Sequence, residues 1–192
     1  MVPPLPQGER VDFGNAMKKR FILALSGSLR HGSTNTALLG AAQLLAPAQV
    51  EIQLWNEQGE LPQFTPDLEA SVPPEAQIFR DLVGRADGLL ISCPEYARGV
   101  PGAFKNALDW LVGGETFITK KFALWNASPR AVEAQRSLRL VLETMSGICV
   151  EEAALALPLI KQEVTAQSIA ANVEWARVIK ISLQCFAAEL AK

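Results

Sequence analysis

Short apolar runs that stop abruptly at clusters of Gly, Ser, Pro or Asn constrain this chain more than any other feature. Residues 21–25 (Phe-Ile-Leu-Ala-Leu), 88–93 (Gly-Leu-Leu-Ile-Ser-Cys) and 122–125 (Phe-Ala-Leu-Trp) carry no charged residue. A strand with no polar face must be covered on both sides, which in practice means a parallel sheet between helices. Residues 50–55 (Val-Glu-Ile-Gln-Leu-Trp) alternate apolar and polar side chains and predict a second strand. Residues 148–150, with 154–157 beyond them, predict a broken fifth strand.

Helical spacing fills the intervals. Leu38, Ala41, Ala42 and Leu45 fall at i, i+3, i+4 and i+7, and Pro47 ends that helix. Ile78, Leu82 and Val83 predict the buried side of a helix from Pro73-Pro74 to Arg85. Pro101 opens another, where a missing N–H costs nothing, and Gly113-Gly114 stops it. Ala134, Leu138, Val141, Leu142 and Met145 mark a fourth. Ile169, Val173, Ala176, Ile179, Leu183, Phe186 and Leu190 predict one long final helix. Five strands alternating with five helices make an α/β fold, in which ligands sit outside the carboxyl ends of the strands. The polar loops after strands one, three and four all fall at that edge. Residues 56–74 form an unusually long connection that either shapes a site or is merely structural or disordered.

The loop after the first strand, residues 26–36, is dominated by Gly, Ser, Thr and Asn and runs into a helix start. Helix N-termini present unpaired N–H groups and the positive end of the helix dipole, so this loop predicts an anion cradle. Gly27 and Gly32 are expected to let the backbone curl round the ligand through positive φ. The P-loop pattern fits from Gly27 to Thr34 except that Ser33 replaces its lysine. The dinucleotide GxGxxG pattern fails, because Gly27 and Gly32 are too far apart and no third glycine follows. A neutral, hydroxyl-rich loop suits one terminal monophosphate. The plain alternative is a Ser/Thr/Asn-capped strand-to-helix connection.

Composition excludes several classes. The 192 residues are 49% apolar, enough for one domain with a substantial core. A net charge of −2 with interspersed signs leaves no electrostatic footprint for nucleic acid or an anionic membrane. Cys93, Cys149 and Cys185 are scattered and form no metal-spaced cluster with the single histidine, His31, so no metal site is expected. That usage fits a reducing compartment, and the expected location is cytoplasmic. Residues 1–17 lack the apolar stretch of a signal peptide and read as an N-terminal extension, with the domain spanning 18–192.

Three motifs in register resemble the NADPH-dependent FMN reductase family of flavodoxin-like proteins, which includes quinone, azo-dye and chromate reductases. They are Gly27-Ser28-Leu29-Arg30 with Ser33 and Asn35, then Pro94-Glu95-Tyr96, then Pro101-Gly102 followed by Lys105-Asn106-Ala107-Leu108-Asp109-Trp110. The resemblance implies a flavodoxin-like three-layer sandwich with a five-stranded parallel sheet of order 2-1-3-4-5. It also implies bound FMN with NAD(P)H as co-substrate, quinones, azo compounds, chromate or free flavin as acceptors, and a homodimer or homotetramer. Carried over, Ser28, Arg30, Ser33, Asn35 and Thr36 would hold the phosphate, and Pro94, Glu95 and Tyr96 would line the ring edge, chiefly through backbone groups. Ser128 is the one position carried over from the third loop. Two residues depart from the family. Ala97 stands where Asn is usual, and Ser128-Pro129-Arg130 replaces small residues and glycines.

Within that reading no side chain is expected to be catalytic, because the redox chemistry belongs to the cofactor. Tyr96 could pack on the flavin or cover the sheet edge. His31 reads as a surface residue, Lys105 and Asp109 as a structural or intersubunit i, i+4 pair, and Cys93 as strand packing. A flavodoxin-like electron carrier and a flavin-free binding protein on the same fold are the alternatives.

Overall fold

The computed structural model describes residues 19–159 and 164–192. The expected extension, residues 1–17, lies outside the described residues. The chain runs β1 (Arg20–Ser26), α1 (Thr34–Leu44), β2 (Val50–Trp55), α2 (Pro74–Arg85), β3 (Gly88–Ser92), α3 (Gly102–Val112) and β4 (Lys121–Asn126). It continues with α4 (Val132–Thr144), β5 (Ile148–Cys149), β6 (Leu155–Ala156), α5 (Ala166–Ala171) and α6 (Val173–Leu190). Every pairing is parallel, in the order β2-β1-β3-β4-β5. This is the flavodoxin-like 2-1-3-4-5 sheet, with β6 as a sixth strand also paired to β4.

Strand alternation divides the core in two. Ile22, Ala24, Leu90, Ala123 and Trp125 point to one face and meet Leu38, Leu39, Ile179, Leu183 and Phe186 of α1 and α6. Leu23, Leu25, Leu89, Ile91 and Phe122 point to the other and meet Phe79, Phe104, Leu108, Leu138 and Leu142 of α2, α3 and α4. The uncharged strands are therefore buried on both faces, as their composition requires.

β5 and β6 occupy one edge position in two pieces. Ile148 and Cys149 pair with Lys121 and Phe122, Leu155 and Ala156 pair with Trp125 and Asn126, and a 3-10 turn at Glu151–Ala153 detours between them. The final helix is also in two pieces, where one was expected. Asn172 is extended and its side chain accepts the Trp175 N–H, starting α6 afresh after α5. Val173, counted in the apolar stripe, is 82% exposed in consequence.

The buried side of α2 differs as well. Ala76, Phe79 and Val83 face the core while Ile78 is exposed, because Phe79 stacks on Trp55 with ring centroids 4.2 Å apart. The long connection after β2 is structural. Asn106 and Trp110 of α3 both donate to the Pro62 carbonyl, at 3.0 and 2.8 Å, and the Phe64 N–H donates to Asn106 Oδ1. Among the described residues no helix is long and apolar enough to cross a membrane, and no cluster of three metal-ligating side chains occurs.

Candidate functional site

The loops after β1, β3 and β4 converge at the carboxyl edge of the sheet around one cavity of about 290 Å³. Strand order reverses here, since β1 and β3 are neighbours whose connections run to opposite faces. Eight of the nine expected positions line the cavity: Ser28, Arg30, Ser33, Asn35, Pro94, Glu95, Tyr96 and Ser128. Thr36 stands apart, with its hydroxyl bonded to Ser26 Oγ at 2.7 Å and its N–H directed at Ser33 Oγ.

The first loop is braced by its own serines. The Ser28 N–H donates to Ser26 Oγ and the Arg30 N–H to Ser28 Oγ, at 3.4 and 3.3 Å. Ser33 is the N-cap of α1. The N–H groups of Thr34 and Asn35, which begin the helix, have no acceptor among the described residues. Asn35 is fixed by the Ser92 hydroxyl, which donates to its Oδ1 at 2.8 Å across to β3. The Arg30 guanidinium has no carboxylate partner within 4.0 Å among the described residues. Two unpaired amides, a helix dipole and a free guanidinium together favour an anion.

The expected glycine mechanism is replaced by another. No described glycine has positive φ. Gly27 is needed for close approach, because a Cβ there would lie 2.6 Å from Cys93 Sγ and 3.0 Å from Cys93 Cα. A Cβ on Gly32 would meet nothing within 4 Å.

The second loop carries a tight turn. Tyr96 and Gly99 exchange two backbone hydrogen bonds, at 3.1 and 3.0 Å, with Ala97 and Arg98 between them at φ 50° and 60°. Tyr96 is 54% exposed on the cavity lip. The Glu95 carboxylate reaches across to α4, where its Oε2 accepts the N–H groups of Glu133 and Ala134 at 2.9 and 3.0 Å. The N-cap of α4 is Ala131, which has no side chain for the task, so Glu95 caps the helix from 38 residues upstream. Cys93 is buried, which pushes its thiol up to about 12 and keeps it protonated.

The third loop repeats the first. Asn126 Oδ1 accepts the Ser128 N–H at 2.8 Å, and Ser128 Oγ accepts the Arg130 N–H at 3.2 Å. Ser28-Leu29-Arg30 and Ser128-Pro129-Arg130 thus form the same serine-braced turn on two sides of one cavity. Arg130 also lacks a carboxylate partner within 4.0 Å among the described residues. Sequence reasoning missed Arg130, Asn126, Ala131 and Cys93 as lining residues. The recurrence of Ser-x-Arg after two strands was the available signal for the first of these.

The site sits in a chain with recognisable kin. FerB from Paracoccus denitrificans, a flavoenzyme NAD(P)H:(acceptor) oxidoreductase, superposes with a TM-score of 0.74 at 27% identity, covering 90% of this chain and 97% of its own. A quinone reductase of Pseudomonas putida is 38% identical over 112 residues, 58% of this chain and 57% of the relative. A 2-hydroxy-1,4-benzoquinone reductase of Burkholderia sp. is 42% identical over 89 residues, 46% of this chain and 48% of the relative. The chain therefore spans about half the length of these two relatives. The sequence profile described as NADPH-dependent FMN reductase matches residues 21–162, a span that runs from Phe21 of β1 through β6 and takes in all three loops, and the chain belongs to that family.

Proposed function

We propose that this cavity seats FMN, phosphate at the α1 N-terminus and ring between the loops after β3 and β4, and that the chain passes reducing equivalents from NAD(P)H to small acceptors. Quinones are the leading acceptor class, with azo compounds, chromate and free flavin beside them. One observation carries the reading. Two unpaired helix-start amides and an unpaired guanidinium share a single cavity with two further braced loops. The activities by which FerB and the Pseudomonas putida relative are named support the same class.

The chain's own residues divide the work. Arg30, the amides of Thr34 and Asn35 and the hydroxyls of Ser28 and Ser33 would hold the phosphate oxygens. Pro94, Glu95 and Tyr96 would bound the ring on one side and Ser128 on the other, with Tyr96 shielding an edge from water. Bound FMN would supply two-electron chemistry between nicotinamide and acceptor, so that NAD(P)H, a proton and a quinone yield NAD(P)+ and a hydroquinone. Glu95 positions rather than reacts, since its carboxylate is engaged by α4. Preorganised backbone donors at the loop ends would stabilise the charge that two electrons bring. The working form is a cytoplasmic homodimer or homotetramer in which residues 18–192 make one domain.

An absorption spectrum of the purified chain with FMN, before and after NAD(P)H, tests this. Flavin bands that bleach and recover with a quinone are expected, and steady NAD(P)H oxidation separates a reductase from an electron carrier. A chain that takes up no FMN refutes the reading.

A further inference from the structure

The two loops that bracket the proposed ring position each carry an exposed arginine with no acid to answer its charge. Arg130, after β4, lines the site cavity, and Arg98 belongs to the turn after β3 that begins at Tyr96 on the cavity lip. Neither has a carboxylate partner within 4.0 Å among the described residues. We infer that Arg98 and Arg130 select acceptors that carry a fixed negative charge, such as quinones bearing a carboxylate or sulfonate, over neutral ones of the same shape; this rests on the function proposed above and names its substrate class.

Both loops fix the backbone from which the cation projects. The Arg130 N–H donates to Ser128 Oγ at 3.2 Å, and the Ser128 N–H donates to Asn126 Oδ1 at 2.8 Å. Arg98 sits at φ 60° in the two-residue turn closed by Tyr96 and Gly99. Glycine would take that position without strain, so the chain holds a long cation where the backbone least favours a side chain. Strain of this kind clusters at ligand sites.

Nothing at the mouth offsets the two charges. Among the described residues that line the cavity Glu95 alone is acidic, and its Oε2 already accepts two α4 amides. Glu133 lies against Arg136 at 3.5 Å, and Glu57 and Glu60, on the loop after β2, do not line the cavity. The FMN phosphate is assigned to Arg30 and the α1 amides, which leaves Arg98 and Arg130 for a second anion. A guanidinium binds a carboxylate or sulfonate through charge-assisted bonds, and a cleft lined by one sign concentrates ligands of the other. A neutral quinone gains from neither. The acceptor takes up a hydride and a proton, supplied by NAD(P)H and solvent through the site, and leaves as a hydroquinone with its charged substituent unaltered.

Stopped-flow reoxidation of FMN-loaded protein, reduced anaerobically before mixing, tests this with a naphthoquinone sulfonate and with menadione, a neutral naphthoquinone. Because the protein is already reduced, contacts between these arginines and the phosphates of NAD(P)H cannot alter the result. The ratio of the sulfonate rate constant to the menadione rate constant should fall about fivefold in Arg130→Gln and about tenfold in the double variant with Arg98→Gln, while Arg130→Lys stays within about twofold of wild type. Added salt should lower the ratio in wild type and less in the double variant. Calorimetric titration of the oxidised, FMN-loaded protein with naphthalene sulfonate, which accepts no electrons here, should show binding that weakens about tenfold in the double variant, with neutral naphthalene methanol bound more weakly than the sulfonate by wild type. A ratio that no Gln variant lowers, a Lys variant that loses as much as Arg130→Gln, or a sulfonate bound no more tightly than its neutral counterpart overturns the inference alone. A chain that takes up no FMN refutes the function proposed above and this inference with it.

Discussion

The turn at Ala97 and Arg98 should be stabilised by replacing both residues with Asn-Gly. Tyr96 and Gly99 close a two-residue loop whose central φ values, 50° and 60°, are both left-handed. That is the geometry of a type I′ turn, which favours Asn-Gly because a side chain with Cβ pays about 1–2 kcal/mol for each such residue. Arg98→Gly removes that strain but gives back about 0.5–1 kcal/mol in unfolded-chain entropy. Ala97→Asn recovers part of the strain through a side chain that tolerates the conformation. The double variant should gain about 1–2 kcal/mol, which for a chain of this size is a melting-temperature rise of roughly 2–8 °C. Ala97→Val should fall by about 1 kcal/mol or more, since a β-branched residue is the poorest fit at positive φ. Differential scanning calorimetry of the three proteins decides the matter. A double variant that melts at or below wild type, beside a Val variant that melts no lower, would refute the left-handed turn. The family's usual Asn at position 97 thus matches a backbone shape that this chain keeps without it.

Other outcomes follow from the same geometry. Glu95→Ala leaves two α4 amides without their acceptor and should cost about 1–2 kcal/mol in urea unfolding, with Glu95→Gln losing less. Arg30→Gln should weaken FMN uptake by about tenfold in a fluorescence titration, with little change in melting temperature. The Cys93 thiol, raised by burial to about 12 against an ordinary 9.0, holds its proton in the folded chain when the unfolded chain has lost it. Its contribution is complete below pH 9 and declines as pH rises toward 12, by up to about 1.4 kcal/mol per pH unit. Urea midpoints between pH 8 and 11 should therefore fall less steeply in Cys93→Ala than in wild type.

The sheet was legible because its strands carry the information locally. β2 spans the residues that alternation predicts, Val50–Trp55, and the break between β5 and β6 follows the gap between two short apolar stretches. The capped start of α1, with its two open amides, was legible because capping residues and a helix start adjoin in the chain. What stayed hidden depends on distant partners. Ile78 has the right spacing for the core, yet Trp55 stacks on Phe79 and buried Arg80 donates to the Trp110 carbonyl, which rotates α2 the other way. The apolar rhythm runs unbroken through Asn172, while a side-chain cap ends one helix there and starts the next. Glu95 gave no sign of serving α4, and Arg130 looked like a departure from family habit until the fold brought it opposite Arg30.

Gly27 and Cys93 touch where their two strands leave the sheet. The space at that end is thus bounded by main chain and the Cys93 side chain, which leave no room for a side chain at position 27. Adaptation to bulkier ligands must come instead from the opposite wall, where Arg130 is exposed and can be exchanged without moving a strand.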